Sequence, residues 1–484
     1  MKRFLLLISL FIPVVLFAEE EYFSAEVIRS DFHELYRGLL EAQYDPFHQI
    51  SAEELEQRYQ ELASSINSPQ TLREASALFQ SFTALTETAH TRVEFPMDTY
   101  QSYLQSDGKT LSLYLDISSD EVVIDDYFGA EPELYSGVKV IAVDGLPVRQ
   151  WLDRYEVLVA ADNQQLKNVM LGMQLQGMLW WADGARESYE ITIMADDGSP
   201  VTVSAITTSY DEQALIANAS QAEVQKEPLR DYQLLAPQVG YLKPGPFYHA
   251  EGENPWDTEP FKRWVDEAFN SFITADVEYV VIDLRSNPGG SNSFSDHLVA
   301  WFADQAFAFA SDFRVRASSQ AREANLERLA LTFDETDISH RYETFFAEKT
   351  AGEIFSFPLD SSLPRDGTRF EGEVIALIDE TSFSNAVSVA AIIQDYGFGT
   401  LIGQKTADLA TTYGAMEHFR LSETNLQVGF PKALIIRPNG DSQPDGVTPD
   451  VRVQSHQDTL AAALEWIEGE RCRKLSSTTV TVQQ

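Results

Sequence analysis

Hydrophobic positions recur at helical spacing along three early segments, Ser24 to Glu41, Ser51 to Ile66 and Pro69 to Leu85, and predict three amphipathic helices. The second opens Ser-Ala-Glu-Glu, so that Ser51 can accept a backbone N–H while Glu54 reaches back, a capping-box pattern. The period then shortens to two: LSLYLDI and EVVIDDYF alternate and read as strands. From about Leu134, GVKVIAVDGLPVRQWLDRYEVLVA predicts a strand, a tight turn at Asp144-Gly145 and a helix from near Arg149. YEITIMADDGSPVTVSAI then predicts a hairpin around Asp197-Gly198.

That order of strand, DG turn, helix and hairpin resembles a PDZ domain, a module that captures peptide ends by adding a strand to its sheet edge. Between helix and hairpin lies NVMLGMQLQGMLWWADG, rich in Met and Trp. It reads either as a packed core helix or as an apolar surface for substrate side chains.

A third pattern begins near Val239. Phe261, Trp264, Val265, Ala268, Phe269 and Phe272 fall on one face of a helix over Asp257 to Ile273. VEYVVIDL follows, apolar on both faces, as expected of a strand held between two layers. It runs into Asp283-Leu284-Arg285-Ser286-Asn287-Pro288-Gly289-Gly290, after which a helix is predicted from near Phe294. The arrangement repeats further on: the strand EVIALID, the turn TSFSNA, and a helix over Asn385 to Tyr396.

The N-terminus sets the compartment. Lys2 and Arg3 precede an apolar run of about a dozen residues that ends at Ala18, the pattern of a cleaved secretory signal. The run is short for a membrane span of roughly 20 residues and contains Pro13. A periplasmic or secreted protein is expected, with no stable span after cleavage. Cys472 is the only cysteine, so packing rather than an internal disulfide must hold the chain. With 35 basic and 75 acidic residues the formal net charge is −40, which excludes a phosphate-coated partner such as nucleic acid. Loss of Lys2 and Arg3 makes the mature chain more acidic still.

Two turns hold candidate chemistry. A Pro-Gly-Gly turn lets backbone N–H groups face an anionic oxygen with no side chain in the way, although the same turn serves as a tight connection. In TSFSNA, a serine at a strand-to-helix junction has its hydroxyl beside free N–H groups, the logic of a nucleophile elbow without the GxSxG pattern. Locally, Ser384 reads equally well as that helix's N-cap. No His, Cys or Asp cluster has metal-ligand spacing, so no metal or organic cofactor is implied.

DLRSNPGG, followed about a hundred residues later by a strand, S-x-S, a helix ending QDYG and then IGQKT, resembles the tail-specific or C-terminal processing serine peptidase family. Tricorn core peptidases and retinoid-binding protein repeats are related to that family. The resemblance implies an α/β fold: a crotonase-like or ClpP-like stack of ββα units for the core, an N-terminal helical region and a PDZ-like β-rich domain. It implies Ser384, the second serine of the S-x-S unit, as nucleophile, and oxyanion donors from Gly289 or Gly290 and from the N–H of Asn385. One branch of the family uses a lysine after a GxxT segment; here that place is Leu409, with Lys405 four residues earlier. The tricorn-like branch uses a histidine in L-x-D-G-H-T, and by that resemblance LTETAHTRVEF implies His90 as the general base, 294 residues from Ser384.

The chain departs from the family at Thr88-Ala89, where Asp-Gly is expected, and at Val387. It departs again at Gln443, where an acidic residue is often found. Asp445 and Asp441 in the NGDSQPDG stretch are the candidates to orient His90. The expected division is a signal peptide over 1–18, an N-terminal helical region with strands over 19–120 and a PDZ-like domain over 121–210. A catalytic core over 225–456 and a C-terminal helix and tail over 457–484 follow, with the tail after Gly469 expected to be disordered. Residues 311–366 read as an insertion, either a lid over the cleft or a surface elaboration. Two functions follow: a serine endopeptidase acting on peptides or unfolded protein segments, or a catalytically inactive protein on the same fold that binds peptides or an apolar ligand.

Overall fold

The computed structural model describes residues 22–117, 121–219, 228–252, 254–330, 338–454 and 457–481. The expected signal peptide lies outside them. The three N-terminal helices are Ala25–Ala42, Ala52–Ser65 and Leu72–Thr83. Ser51 accepts the N–H of Glu54, but the reciprocal capping box forms one helix later, between Thr71 and Glu74. The local pattern S/T-x-x-E occurs at both places, and the second one sits in the more buried helix entry.

The core sheet has six strands in the order Asp231–Ala236, Val239–Lys243, Tyr279–Asp283, Glu373–Ile378, Thr400–Gly403, Val451–Arg452. The first pair is antiparallel and the rest are parallel. Helices Glu259–Thr274, Asn292–Ala300 and Asn385–Tyr396 cover one face through Phe269, Phe272, Phe294, Leu298, Val389 and Ile392. The C-terminal helix Thr459–Thr481 covers the other face, where Ala463 and Ile467 meet Ile375, Leu377 and Ile402. That helix runs well past Gly469, so the segment expected to be a disordered tail is helical to Thr481. Strand Tyr279–Asp283 is buried at every position, as its uninterrupted apolar run requires for a strand covered on both faces.

A second sheet orders Ile354–Ser356, Asp312–Arg316, Gln427–Ile436 and Thr412–Arg420. The short strand Arg92–Val93 pairs with Gln427–Ile436, placing Arg92 against Gly429 and Val93 against Val428. The N-terminal helices pack on this sheet through Ile28, Phe32, Phe79 and Phe82. Residues 311–366 contribute two of its strands and the helices Ser319–Leu329 and Ile338–Glu348, and Arg316 donates to the carbonyls of Leu40 and Gln43. The insertion is thus built into the N-terminal layer. Arg328 from its first helix meets Glu417, which also holds the buried Lys432.

The β-rich region is a four-stranded antiparallel sheet in the order Pro200–Ile206, Ser188–Met194, Val140–Val143, Leu146–Pro147. Asp144 and Gly145 both have positive φ, the backbone of the tight hairpin turn their types favour. The Met- and Trp-rich segment is the helix Gln164–Asp183. Leu171, Leu175, Met178, Trp180 and Trp181 are buried.

Candidate active site

Adjacent parallel strands Tyr279–Asp283 and Glu373–Ile378 end side by side, with Asp283 opposite Leu377, and their following loops meet at the carboxyl edge of the sheet. The first loop is locked by its own polar residues. Asp283 is buried and accepts a two-point contact from Arg285 and a bond from Tyr241 at 2.8 Å. Asn287 donates to the Gly245 carbonyl at 2.6 Å and accepts the Gly289 N–H at 2.9 Å, while its backbone carbonyl accepts the N–H of Phe383. Ser382, fully buried, donates to the Leu284 carbonyl at 2.9 Å and ties the second loop to the first.

Gly289 has φ of +82° and lies against Ser384: a Cβ there would sit 2.7 Å from the Asn385 nitrogen and 2.8 Å from the Ser384 Cβ. Gly290, at φ +133°, would meet the Phe247 carbonyl at 2.3 Å. Both positions therefore demand glycine for space as well as backbone conformation. Gly289's N–H is taken by Asn287, whereas the N–H groups of Gly290 and Asn385 have no acceptor among the described residues. Of the two glycines, Gly290 is the one whose N–H is left open among the described residues.

Ser384 itself has φ 53° and ψ −121°, a strained backbone for a non-glycine residue. Its side chain makes no capping bond to the helix Asn385–Tyr396, so its hydroxyl is free to serve elsewhere. It is directed to His90: Nε2 lies 3.3 Å from Oγ. The Phe383 ring stacks on the imidazole at 5.4 Å between centroids. His90 precedes the strand Arg92–Val93, whose pairing with Gln427–Ile436 carries it to the core.

The electrostatics of the pair follow from burial. Desolvation, aided by the Arg92 guanidinium, lowers the His90 pKa to about 4, so the ring is neutral and able to accept a proton at neutral pH. A backbone group of Tyr413 lies close enough to favour the protonated ring, yet Nδ1 is buried with no partner in hydrogen-bond geometry among the described residues.

Asp441 and Asp445 are not brought to the imidazole. Asp441 accepts the N–H of Gln443, and Asp445 pairs with Lys405 at the surface. Lys405 is thereby accounted for away from Ser384. Instead, two acids that no motif marked lie beneath the site: Asp408 accepts the N–H of Ser384, and Asp162 accepts that of Ala89 at 3.1 Å. Asp408 directly precedes Leu409, the position at which the family resemblance sought a lysine.

A cleft of about 470 Å³ opens beside the histidine loop, lined by Ala89, Arg92, Phe95, Met170, Met173 and Met178 among others. The Met-rich helix thus buries one side in the core and turns the other to this cleft. No group of His, Cys, Asp and Glu residues among those described is arranged to hold a metal ion, and no described helix is long and apolar enough to cross a membrane.

The sequence model of Peptidase family S41 matches residues 238–453. Among solved structures, mature CPAF complexed with lactacystin is similar at 16% identity and TM-score 0.60, covering 88% of this chain and 94% of that one. Mature CPAF alone matches at 16% identity and TM-score 0.58, covering 88% and 92%. At such identity the likeness establishes the shared fold. No curated protein matches the sequence. The matched residues carry five of the six core strands and the Gly-Gly turn against which the serine elbow is built, so residues 238–453 form a domain of peptidase family S41, the tail-specific serine peptidases.

Proposed function

We propose that the protein is an exported serine endopeptidase that cleaves peptides or unfolded protein segments, with Ser384 as nucleophile and His90 as general base. The observation that carries this reading is the 3.3 Å approach of His90 Nε2 to a serine hydroxyl held on a strained elbow and excused from capping its own helix. In the reaction, Ser384 Oγ adds to the scissile carbonyl carbon as its proton passes to Nε2. The carbonyl oxygen becomes an anion facing the N–H groups of Gly290 and Asn385. The C–N bond then breaks, the amine leaves with the proton from Nε2, and an acyl-enzyme remains on Oγ. Water, deprotonated by the same nitrogen, releases the acid and restores the serine. The depressed His90 pKa keeps the base unprotonated from mildly acidic pH upward.

The apolar, methionine-lined cleft supports a peptide substrate rich in hydrophobic side chains, because methionine adapts to varied apolar shapes. The signal-like N-terminus supports export, and the β-rich region with its DG turn supports a PDZ-like recruiting module. The test is labelling by a fluorophosphonate probe together with turnover of an unfolded protein. Labelling lost in Ser384→Ala and weakened in His90→Ala upholds the reading, and labelling untouched by either change refutes it.

One observation favours a second reading, a peptide-binding protein without turnover: the imidazole Nδ1 has no carboxylate partner among the described residues. Peptide affinity equal in wild type and Ser384→Ala, with no product formed, would establish it instead.

A further inference from the structure

We infer that the half-buried Asp162 and the buried Asp408 form a carboxylate pair that positions the nucleophile and the base against each other. The inference rests on the roles proposed for Ser384 and His90, and assigns the two acids as positioning residues rather than groups that touch substrate.

The geometry is specific to the site. Asp408 is fully buried, and its carboxylate accepts two backbone N–H groups, that of Ser384 and, at 2.9 Å, that of Leu409. Its own carbonyl accepts Thr406 Oγ1 at 2.8 Å, so the segment carrying it is held from both sides. Asp162 stands in the connection between helices Val148–Glu156 and Gln164–Asp183 and accepts the N–H of Ala89, the residue before His90. Its neighbour Asn163 donates to the carbonyl of Ala407, the residue before Asp408, at 2.9 Å. One short connection therefore grips the loop of the base with one residue and the loop of the acid with the next.

Two consequences follow for the reaction. First, Asp408 holds the Ser384 amide in its positive-φ backbone, where otherwise that N–H would be a third donor pointing into a strained elbow. Second, such a pair of acids resists holding two negative charges. Burial raises Asp408 to about 7, with the Asp162 charge as the next cause, and burial raises Asp162 to about 6. The pair consequently retains a proton near neutrality and charges fully only above it. The Asp162 charge also acts on Tyr413, which it helps to raise. Full charging adds repulsion between the two carboxylates, which opposes the close placement of the two loops that sets Oγ against Nε2. A misplacement of about 1 Å costs roughly a hundredfold in rate.

The test compares Asp408→Asn and Asp408→Ala in the full chain, read by kcat and KM on an unfolded protein substrate, with thermal unfolding as the folding control. Asparagine keeps an oxygen for the Ser384 N–H but cannot ionise. The expected result is a fall of about a hundredfold in kcat for Asp408→Ala with KM within about threefold, and a loss under about tenfold for Asp408→Asn. The wild type should lose kcat above about pH 7, and Asp408→Asn should not. A folded Asp408→Ala with wild-type kcat, or equal losses in both variants, overturns the inference. If Asp408→Ala does not fold, the asparagine variant decides alone: a pH profile superimposable on wild type overturns the pair's role, and loss of the alkaline fall upholds it. A wild type that neither labels nor turns over substrate would defeat the peptidase reading itself, an outcome distinct from any of these.

Discussion

Lowering the pH measures how firmly the fold keeps His90 uncharged. In an unfolded chain a histidine titrates near 6.5, whereas burial first, and the Arg92 guanidinium second, bring His90 to about 4. The gap corresponds to about 3 kcal/mol at full extent, since each pH unit is worth 1.36 kcal/mol. Between the two values the unfolded chain binds a proton that the folded chain refuses. Stability owed to this residue is therefore complete above about pH 6.5 and is lost as the pH falls toward 4. At pH 5 the loss is about 2 kcal/mol. Asp162 and Asp408, whose values are raised, act in the opposite direction: the folded chain holds their protons, and they lose stability as the pH rises through 6 and 7. The whole-protein curve therefore mixes two signs, and a difference experiment is needed. Urea unfolding of wild type and His90→Gln at pH 7.5, 6 and 5 supplies it. The wild type should lose about 2 kcal/mol more than the variant between pH 7.5 and pH 5. In turnover, the acid limb of kcat/KM should fall near pH 4, and Arg92→Gln should move it upward by removing a repelling charge. An acid limb near 6.5, together with a stability difference that does not change with pH, would refute the reasoning.

Three further outcomes follow from the packing. Gly289→Ala places a methyl group within 3 Å of the Asn385 nitrogen and the Ser384 Cβ, and should cut kcat by about a hundredfold or more in steady-state assays while the chain still folds. Lys432→Met leaves Glu417 buried beside Arg328 alone, and should cost about 3–5 kcal/mol in urea unfolding if the triad behaves as other buried ion pairs do. Gly177→Leu fills the methionine-lined cleft, since a Cβ there first meets Phe95 at an ordinary 3.6 Å. Its kcat/KM should drop for peptides with aromatic or long aliphatic residues and stay level for alanine-rich ones.

The parts of the molecule that could be read ahead of the structure are those whose chemistry is local. Strand Tyr279–Asp283 announces itself by an unbroken apolar run, and the helix Asn385–Tyr396 has the bounds its periodicity predicts. The Gly-Gly turn and the S-x-S unit are similarly contiguous, and the structure adds what each intervening residue does. Asn287 consumes the Gly289 N–H, and Ser382 locks the turn from beneath. What could not be read depends on residues far apart. Asp162 and Asp408 are 246 positions from each other in a chain with 75 acidic residues, and each bonds to a backbone N–H that no side-chain pattern reveals. Asp441 and Asp445 were attractive for lying near the place where relatives carry an acid, yet their loop satisfies them with its own amides and with Lys405. The placement of residues 311–366 was hidden for the same reason: the contacts of Arg316 with Leu40 and Gln43 cross more than 270 positions.

That distance has a bearing on how the protein is made. His90 stands two residues before a two-residue strand stitched to Gln427–Ile436, while Ser384 sits 294 positions away in the turn after a core strand. A growing or half-collapsed chain holds one of these groups without the other. On the proposed reading, the hydrolase is inert as a fragment and becomes armed only when the N-terminal layer closes on the finished core. Its tertiary assembly then acts as its own safety catch during synthesis.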